Sequence, residues 1–332
     1  MENVKNPINK EKKRRAETFQ RLLAFGALII MFVGFSLASP YFFTFNNVVG
    51  ILIATAVNGL LALGVTFIII SGGIDLSVGT VMTLSSVMAA VMIKNLEMPV
   101  WLGVLVGVLT GGFAGFLNGI MISKLKLPPF IATLGMLNVA RGSSLVITDL
   151  SPIYFPYETG FNNIAMGSVL GQIIPGFEIP NGVLIMFAMA GLAGLILTKT
   201  VIGRYCFALG SNEEAARLSG VNVDFWKTAI YTLGGLFVGV AGIVIAARLN
   251  SAQPALGQGY ELDAIAAAVI GGISMSGGEG NMLGTIIGAF IISTLTNGLR
   301  ILSVPQEWQI VVTGLIIISA VYLDIIRRKR KA

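Results

Sequence analysis

Apolar runs about 20 residues long, separated by short polar breaks, repeat along most of this 332-residue chain. As a helix, a run of that length is about 30 Å long, the thickness of a bilayer's hydrocarbon core. The pattern predicts ten spans, at approximately 22–39, 48–70, 77–93, 100–122, 130–148, 181–199, 229–249, 263–277, 282–299 and 307–325. The eighth is short and rich in glycine. One break stands apart from the others: Gly203 to Lys227, reading GRYCFALGSNEEAARLSGVNVDFWK, is the longest polar interruption. Within it, Ser211 and Glu214 have the spacing of a capping box, in which hydroxyl and carboxylate each accept from the other residue's backbone N–H. A helix starting there runs from Asn212 to Ser219, about 12 Å, and Gly220 stands where a left-handed C-terminal cap favours glycine. This helix is too short to cross a bilayer, and both of its ends are specified. It is expected to lie at the membrane surface as a docking element.

Composition agrees with the spans. Hydrophobic residues make up 55% of the chain and charged residues 11%, with a mean hydropathy of +0.85, whereas soluble domains carry about 25% charged residues. The expected fold is an all-α, polytopic membrane protein. A net charge of +6 raises nucleic acid as a partner until the basic residues are placed. With ten spans, eighteen of the 22 Lys and Arg fall on one side: Lys5, Lys10, Lys12, Lys13, Arg14, Arg15, Arg21, Lys124, Lys126, Lys199, Arg204, Arg217, Lys227 and the five from Arg327 to Lys331. Lys94, Arg141, Arg248 and Arg300 remain for the other side or the membrane. The positive-inside rule then puts both termini and the capped helix in the cytoplasm, and the basic ends serve as topology signals with anionic lipid as their neighbour, so no nucleic acid is expected. The predicted organisation is a basic cytoplasmic tail at 1–20, a transmembrane domain at 21–326 and a second basic tail at 327–332. The domain carries a cytoplasmic loop at 200–228 and an extracytoplasmic loop at 149–180. The outer loop, with Pro152, Pro156, Pro175 and Pro180, is a natural dock for an external partner. Cys206, the single cysteine, excludes an internal disulfide. Ser39-Pro40-Tyr41 lacks a small-x-small cleavage site, so the first span is expected to stay.

Polar groups at membrane depth are costly unless they line water or find a partner. Asn58, Asp75, Asn118 and Arg141 are therefore the candidates for a translocation pathway. Asp75, at the opening of the third span, reads equally as a helix cap, and Arg141 as a side chain that snorkels to an interface. Gly103, Gly107, Gly111, Gly115 and Gly119 recur every four residues, which strips side chains from one helix face and predicts close packing of another helix there. Asn118-Gly119-Ile120 ahead of Pro128 resembles Asn297-Gly298-Leu299 ahead of Pro305, on opposite sides of the predicted membrane. That is the signature of an inverted repeat. A rival match, Gly72-Gly73-Ile74 with Gly271-Gly272-Ile273, puts both copies on one side and does not fit that scheme.

The chain contains no histidine, which removes Ser-His-Asp triads, HExxH zinc sites and His-based proton transfer. No catalytic residue and no metal site is expected, and no phosphate-binding GxxxxGK[ST] loop occurs. Energy from ATP would have to arrive through another polypeptide. Glu214-Ala215-Ala216, three residues and Gly220 match the EAA-x-x-x-G signature of ABC importer permeases, and GRYCFALGSNEEAARLSGVNV as a whole resembles the ribose-type sugar permeases. Ala247 to Pro254, Gly259 to Ala267 and Gly72 to Gly79 are similar to the same group. The Leu-Pro pair that ends the signature in other branches is missing after Gly220. The resemblance implies that the capped helix, with Ser211, Glu213, Glu214, Ala215, Ala216, Arg217 and Gly220, is a coupling helix seated in a cleft of an ABC ATPase subunit. It also implies a homodimer in the bacterial cytoplasmic membrane, a periplasmic or lipid-anchored sugar-binding protein, and ATP and Mg held only by the ATPase. The substrate would be ribose or a related monosaccharide. An ion-coupled secondary transporter is the alternative from the residues alone, with Asp75 and Asp263 as its only candidate intramembrane carboxylates, and an intramembrane enzyme is a distant third.

Overall fold

The computed structural model describes residues 7–329. Its helices are α1 (Pro7–Ala38), α2 (Phe45–Ile70), α3 (Val78–Ala90, continued by a π turn, Val91–Asn95), α4 (Val100–Ser123), α5 (Pro129–Ile147), α6 (Val169–Ile173), α7 (Asn181–Lys199), α8 (Val201–Ser211), α9 (Glu213–Leu218), α10 (Val223–Leu249), α11 (Tyr260–Ile270), α12 (Met282–Ile301) and α13 (Gln306–Lys329). Two short strands, β1 (Ile153–Tyr154) and β2 (Ser251–Ala252), pair antiparallel and tie the 149–180 loop to the end of α10. The protein is an all-helical polytopic membrane protein.

Among the described residues, seven helices are long and apolar enough to span a bilayer. They match the expected spans two to seven and nine. The first and tenth expected spans correspond to apolar stretches of α1 and α13, at Leu22–Ala38 and Gln306–Ser319. The eighth differs from expectation. Its helix, α11, has 11 residues, about 16 Å, half of what a crossing needs. It stops at a turn in which Gly272 has φ +93°. Helix α1 already begins within the N-terminal basic stretch, at Pro7. Residues 1–6 and 330–332 of the two tails lie outside the described residues.

The core forms where backbones touch. Gly111 and Gly115 of α4 lie directly against Gly235, Gly239 and Tyr231 of α10, and Gly119 lies against Thr228. Gly103 and Gly107 face Ile93, Ala89 and Ser85 of α3. The glycine ladder thus packs two helices against one face, as small-xxx-small contacts do where lipid offers no hydrophobic drive. On the other side of α10, Gly64 of α2 abuts Gly234, and the rings of Phe67 and Phe237 lie 5.8 Å apart. A substituted side chain at most of these positions would meet backbone, which cannot move aside.

The connections repeat one device. Left-handed residues follow α2 (Gly72), α4 (Lys126), α10 (Asn250), α11 (Gly272) and α12 (Ser303), and Glu97 takes the same conformation between α3 and α4. These connections therefore use left-handed residues to leave a helix, with or without glycine.

Candidate functional site

The polar break resolves into two helices. Residues 201–211 form α8, whose Gly203, Cys206 and Leu209 are buried. Tyr205 on α8 packs on Trp226 of α10, ring centroids 4.6 Å apart. Sequence reasoning missed this helix because its charged and polar face dominated the pattern; the three-residue spacing of Gly203, Cys206 and Leu209 was the available signal.

Helix α9 is the expected docking helix, with one correction at its start. Ser211 is the last residue of α8 and forms no capping box with Glu214; the N-cap is Asn212, whose Oδ1 accepts from the Ala215 N–H at 2.9 Å. An amide at N-cap reaches the N3 donor as well as a hydroxyl does, and using Asn212 lets α8 run on to Ser211. The C-terminal cap is as expected, with Gly220 at φ +84° and the Val221 N–H donating to the Ala216 carbonyl.

Side-chain roles within α9 divide by face. Glu213 pairs with Lys227 at 2.6 Å and with Arg217 at 3.5 Å, and Arg217 reaches Asp224, which also binds Lys126 at 2.8 Å. Single surface pairs contribute little to stability. Here five charges form one chain that ties α9 to the start of α10 and to the α4–α5 connection, which fixes its orientation. Ala216 is buried beneath the helix. The outward face is left to Glu214, Ala215 and Leu218, and Leu218 is 84% exposed. A leucine presented this way at a polar surface is a feature the motif did not name.

Beneath α9 lies a knot of glycines. The Gly278 N–H donates to the Ile70 carbonyl at 2.8 Å, joining the end of α2 to the α11–α12 connection. Gly210, the penultimate residue of α8, sits on that bond, so a Cβ there would strike the Ile70 oxygen and lie 2.5 Å from Gly278 N. Gly277 is also close to Gly210 and Gly72, where a Cβ would lie 2.9–3.0 Å from their backbone atoms. Three chain segments far apart in sequence meet where any side chain would separate them.

The polar candidates of the membrane interior fall in three places. Asp75 and Asn118 are together and buried. Asp75 Oδ1 accepts from the Ser77 N–H at 2.8 Å and the Ser77 hydroxyl at 2.6 Å, and Asn118 Nδ2 donates to Ser77 Oγ at 3.0 Å and Asp75 Oδ2 at 3.4 Å. Tyr231 of α10 donates to the neighbouring Ile74 carbonyl at 3.1 Å. This network holds the 71–77 turn in the bundle, where non-helical backbone needs partners, and leaves only Asn118 Oδ1 of its side-chain atoms without one. It lines no water. Asn58 is half-buried between α2 and α12 and donates to Ser293 Oγ at 3.4 Å. Arg141 is the exception: it is exposed on α5, and it borders a small pocket with Thr80 and Thr83 of α3 and Pro254, Ala255, Gly257 and Gln258. Residues 253–259 therefore fold inward from β2 until the Gly257 carbonyl rests on Gly79, in the first turn of α3. Sequence reading had joined this segment to no element, because a short run containing proline and two glycines carries no periodicity.

Comparison with known proteins follows this geometry closely in extent. The family described as "branched-chain amino acid transport system / permease component" matches residues 47–321. The ribose import permease protein of Bacillus subtilis (strain 168) is 43% identical over 314 residues, 94% of this chain and 94% of that protein. The D-allose transport system permease protein of Escherichia coli (strain K12) is 39% identical over 298 residues, 90% of this chain and 89% of its own length. The L-arabinose transport system permease protein of the same strain is 37% identical over 310 residues, 92% of each. Both the matched region and the level of identity extend across every helix from α2 to α12, and on that ground the chain belongs to this family of transport-system permease components.

Proposed function

We propose that this chain is the translocation subunit of an ATP-driven ABC importer for a monosaccharide of the ribose class, and that α9 is its coupling helix. The observation that carries the reading is the construction of α9: capped at both ends, tied down by its own charges, and presenting Glu214, Ala215 and Leu218 outward. Such a helix has no chemistry and a defined shape, which suits insertion into a cleft of a separate ATPase subunit that binds ATP and Mg. The relatives named for ribose, allose and arabinose support a monosaccharide, and ribose is supported by the highest identity of the three. In this reading the α9 end faces the cytoplasm, where Lys124, Lys126, Lys199, Arg204, Arg217 and Lys227 gather. The opposite end, with the exposed Tyr154 and Tyr157 beside the β1–β2 pair, meets the sugar-binding protein. Two copies of the chain enclose the pathway. Asp75 and Asn118 hold its wall from behind, and Arg141 faces it.

An inverted repeat relating α2–α5 to α10–α13 belongs to the same proposal. Its support is the packing: α4 lies on α10 as α12 lies on α2, and α3 on α10 as α11 on α2. The left-handed residues pair accordingly, Gly72 with Asn250, Glu97 with Gly272 and Lys126 with Ser303. Under this scheme the Asn-Gly matches before Pro128 and Pro305 correspond, and the Gly-Gly-Ile match is coincidence.

The test of the docking role is co-purification of the ATPase with variants of α9. Ala215→Trp and Leu218→Asp should abolish capture of the ATPase while the permease itself stays monodisperse. Ala216→Trp should instead destabilise the permease, because Ala216 is buried within this chain. Undiminished capture by both outward variants would remove α9 from the interface.

A further inference from the structure

An arginine exposed on a membrane-spanning helix presents an energetic difficulty. Arg141 stands on α5, and among the described residues it makes no hydrogen bond or ion pair. A guanidinium facing hydrocarbon costs several kcal/mol, so this face of α5 meets water or polar groups. Its neighbours say which polar groups it is built with. Thr80 Oγ1 donates to the Ser77 carbonyl at 3.0 Å and Thr83 Oγ1 to the Gly79 carbonyl at 3.3 Å. Both hydroxyl protons are thereby spent on the helix, and their lone pairs are free to accept. Gln258, exposed on the inward-folded segment, offers an amide that donates and accepts. Glu261, near Gly79, is turned to its own helix start, where its oxygens accept from the Gly259 N–H at 3.1 and 3.3 Å.

We infer that Thr80, Thr83, Arg141 and Gln258 form a sugar-contact subsite in the pathway, with the 253–259 segment as its floor. The inference rests on the importer reading above and adds to it a place and a chemistry. The donors and acceptors are matched to neutral vicinal hydroxyls: Arg141 donates in a planar fork, the threonines accept, and Gln258 does both. Space points the same way. The pocket is small, with room of about 10 Å³ for a water-sized group, so one chain receives a single hydroxyl and not a whole sugar. The remainder of the sugar extends into the pathway. Weak contacts of this kind suit a conduit, since a site that holds its cargo tightly does not release it.

The experiment has two arms on the complete complex of permease, ATPase and binding protein in proteoliposomes. In the first, Gln258→Cys in a Cys206→Ser background is treated with a charged, membrane-impermeant thiosulfonate, with Leu37→Cys, 84% exposed on α1, as the lipid-facing control. The subsite predicts labelling of Gln258→Cys while Leu37→Cys stays inert; equal inertness of both overturns it. In the second arm, Arg141→Lys and Thr83→Val should lower ribose uptake by about tenfold, the effect of losing one hydrogen bond to a charged or desolvated group. ATPase capture and elution as an intact complex should stay as in wild type. Wild-type uptake by both variants overturns the sugar contact, and a shift of preference from ribose to a sugar phosphate in the native protein overturns its neutral specificity. If the wild-type complex takes up no sugar with ATP, the importer reading fails, whereas the labelling arm still reports whether this face meets water.

Discussion

Gly210→Ala tests whether the base of α9 is mechanically continuous with the membrane helices. The new methyl group would meet the Ile70 carbonyl and lie 2.5 Å from Gly278 N, so the Gly278–Ile70 hydrogen bond must open or α8 must lift. Opening the bond leaves a desolvated pair worth about 1–3 kcal/mol, and forcing a methyl into a packed site costs about 1–3 kcal/mol more. The perturbation is therefore about 2–6 kcal/mol, concentrated at one junction. If about 2 kcal/mol of it falls on one of the two transport conformations, their ratio shifts about 30-fold. The assay is the ratio of sugar transported to ATP hydrolysed in proteoliposomes, measured on variant that elutes as intact complex with its ATPase. The expected result is retained hydrolysis with a ratio reduced at least about tenfold. Gly194→Ala on α7, where a Cβ meets nothing within 4 Å, is the control and should behave as wild type. A Gly210→Ala complex that transports at the wild-type ratio would refute the idea that the glycine knot links α9 to α2 and α12.

Four further outcomes follow from the same geometry. Asn212→Ala should weaken α9 by about 1 kcal/mol and reduce ATPase capture, whereas Ser211→Ala should leave the cap intact; equal effects of the two would restore the capping box that the structure lacks. Asn118→Leu deletes the donor to Asp75 and Ser77 and should lower the thermal midpoint in detergent, with a loss of about 1–3 kcal/mol for a carboxylate left underpaired; an unchanged midpoint would mean the network is not structural. Burial pushes the Cys206 thiol up to about 12, so maleimide should not label the native protein at neutral pH and should label it in denaturant. From about pH 9 to 12 the unfolded chain releases this proton while the folded chain keeps it, so folding loses stability as pH rises through that window. Asn212→Cys should label from the cytoplasmic side and Asn163→Cys from outside in intact cells, and the reverse would overturn the orientation.

Much of this architecture is legible in the chain because membrane helices declare themselves by length alone. The α4 ladder from Gly103 to Gly119 announced a close partner, and the structure supplies α10 and α3. What the pattern hides is backbone that enters the bundle without being helical. Residues 71–77 and 253–259 have no hydrophobic period to read: the first is held by the Asn118 and Tyr231 side chains of distant helices, and the second rests its Gly257 carbonyl on Gly79. The same limit explains the pathway candidates. Asp75, Asn118 and Arg141 are equivalent by the rule that intramembrane polar groups are functional, and only their partners separate two buried structural residues from one that is open. In α9 the motif located the helix, but its side-chain contacts depend on Lys227 and Asp224 of α10, which pair with Glu213 and Arg217.

The most direct test of the central claim is ribose uptake by proteoliposomes that hold the chain with its ATPase and binding protein. Uptake should require hydrolysable ATP on the α9 side and binding protein on the other, and it should be indifferent to ionophores that collapse proton and sodium gradients. Uptake driven by an imposed ion gradient without ATP would contradict the account.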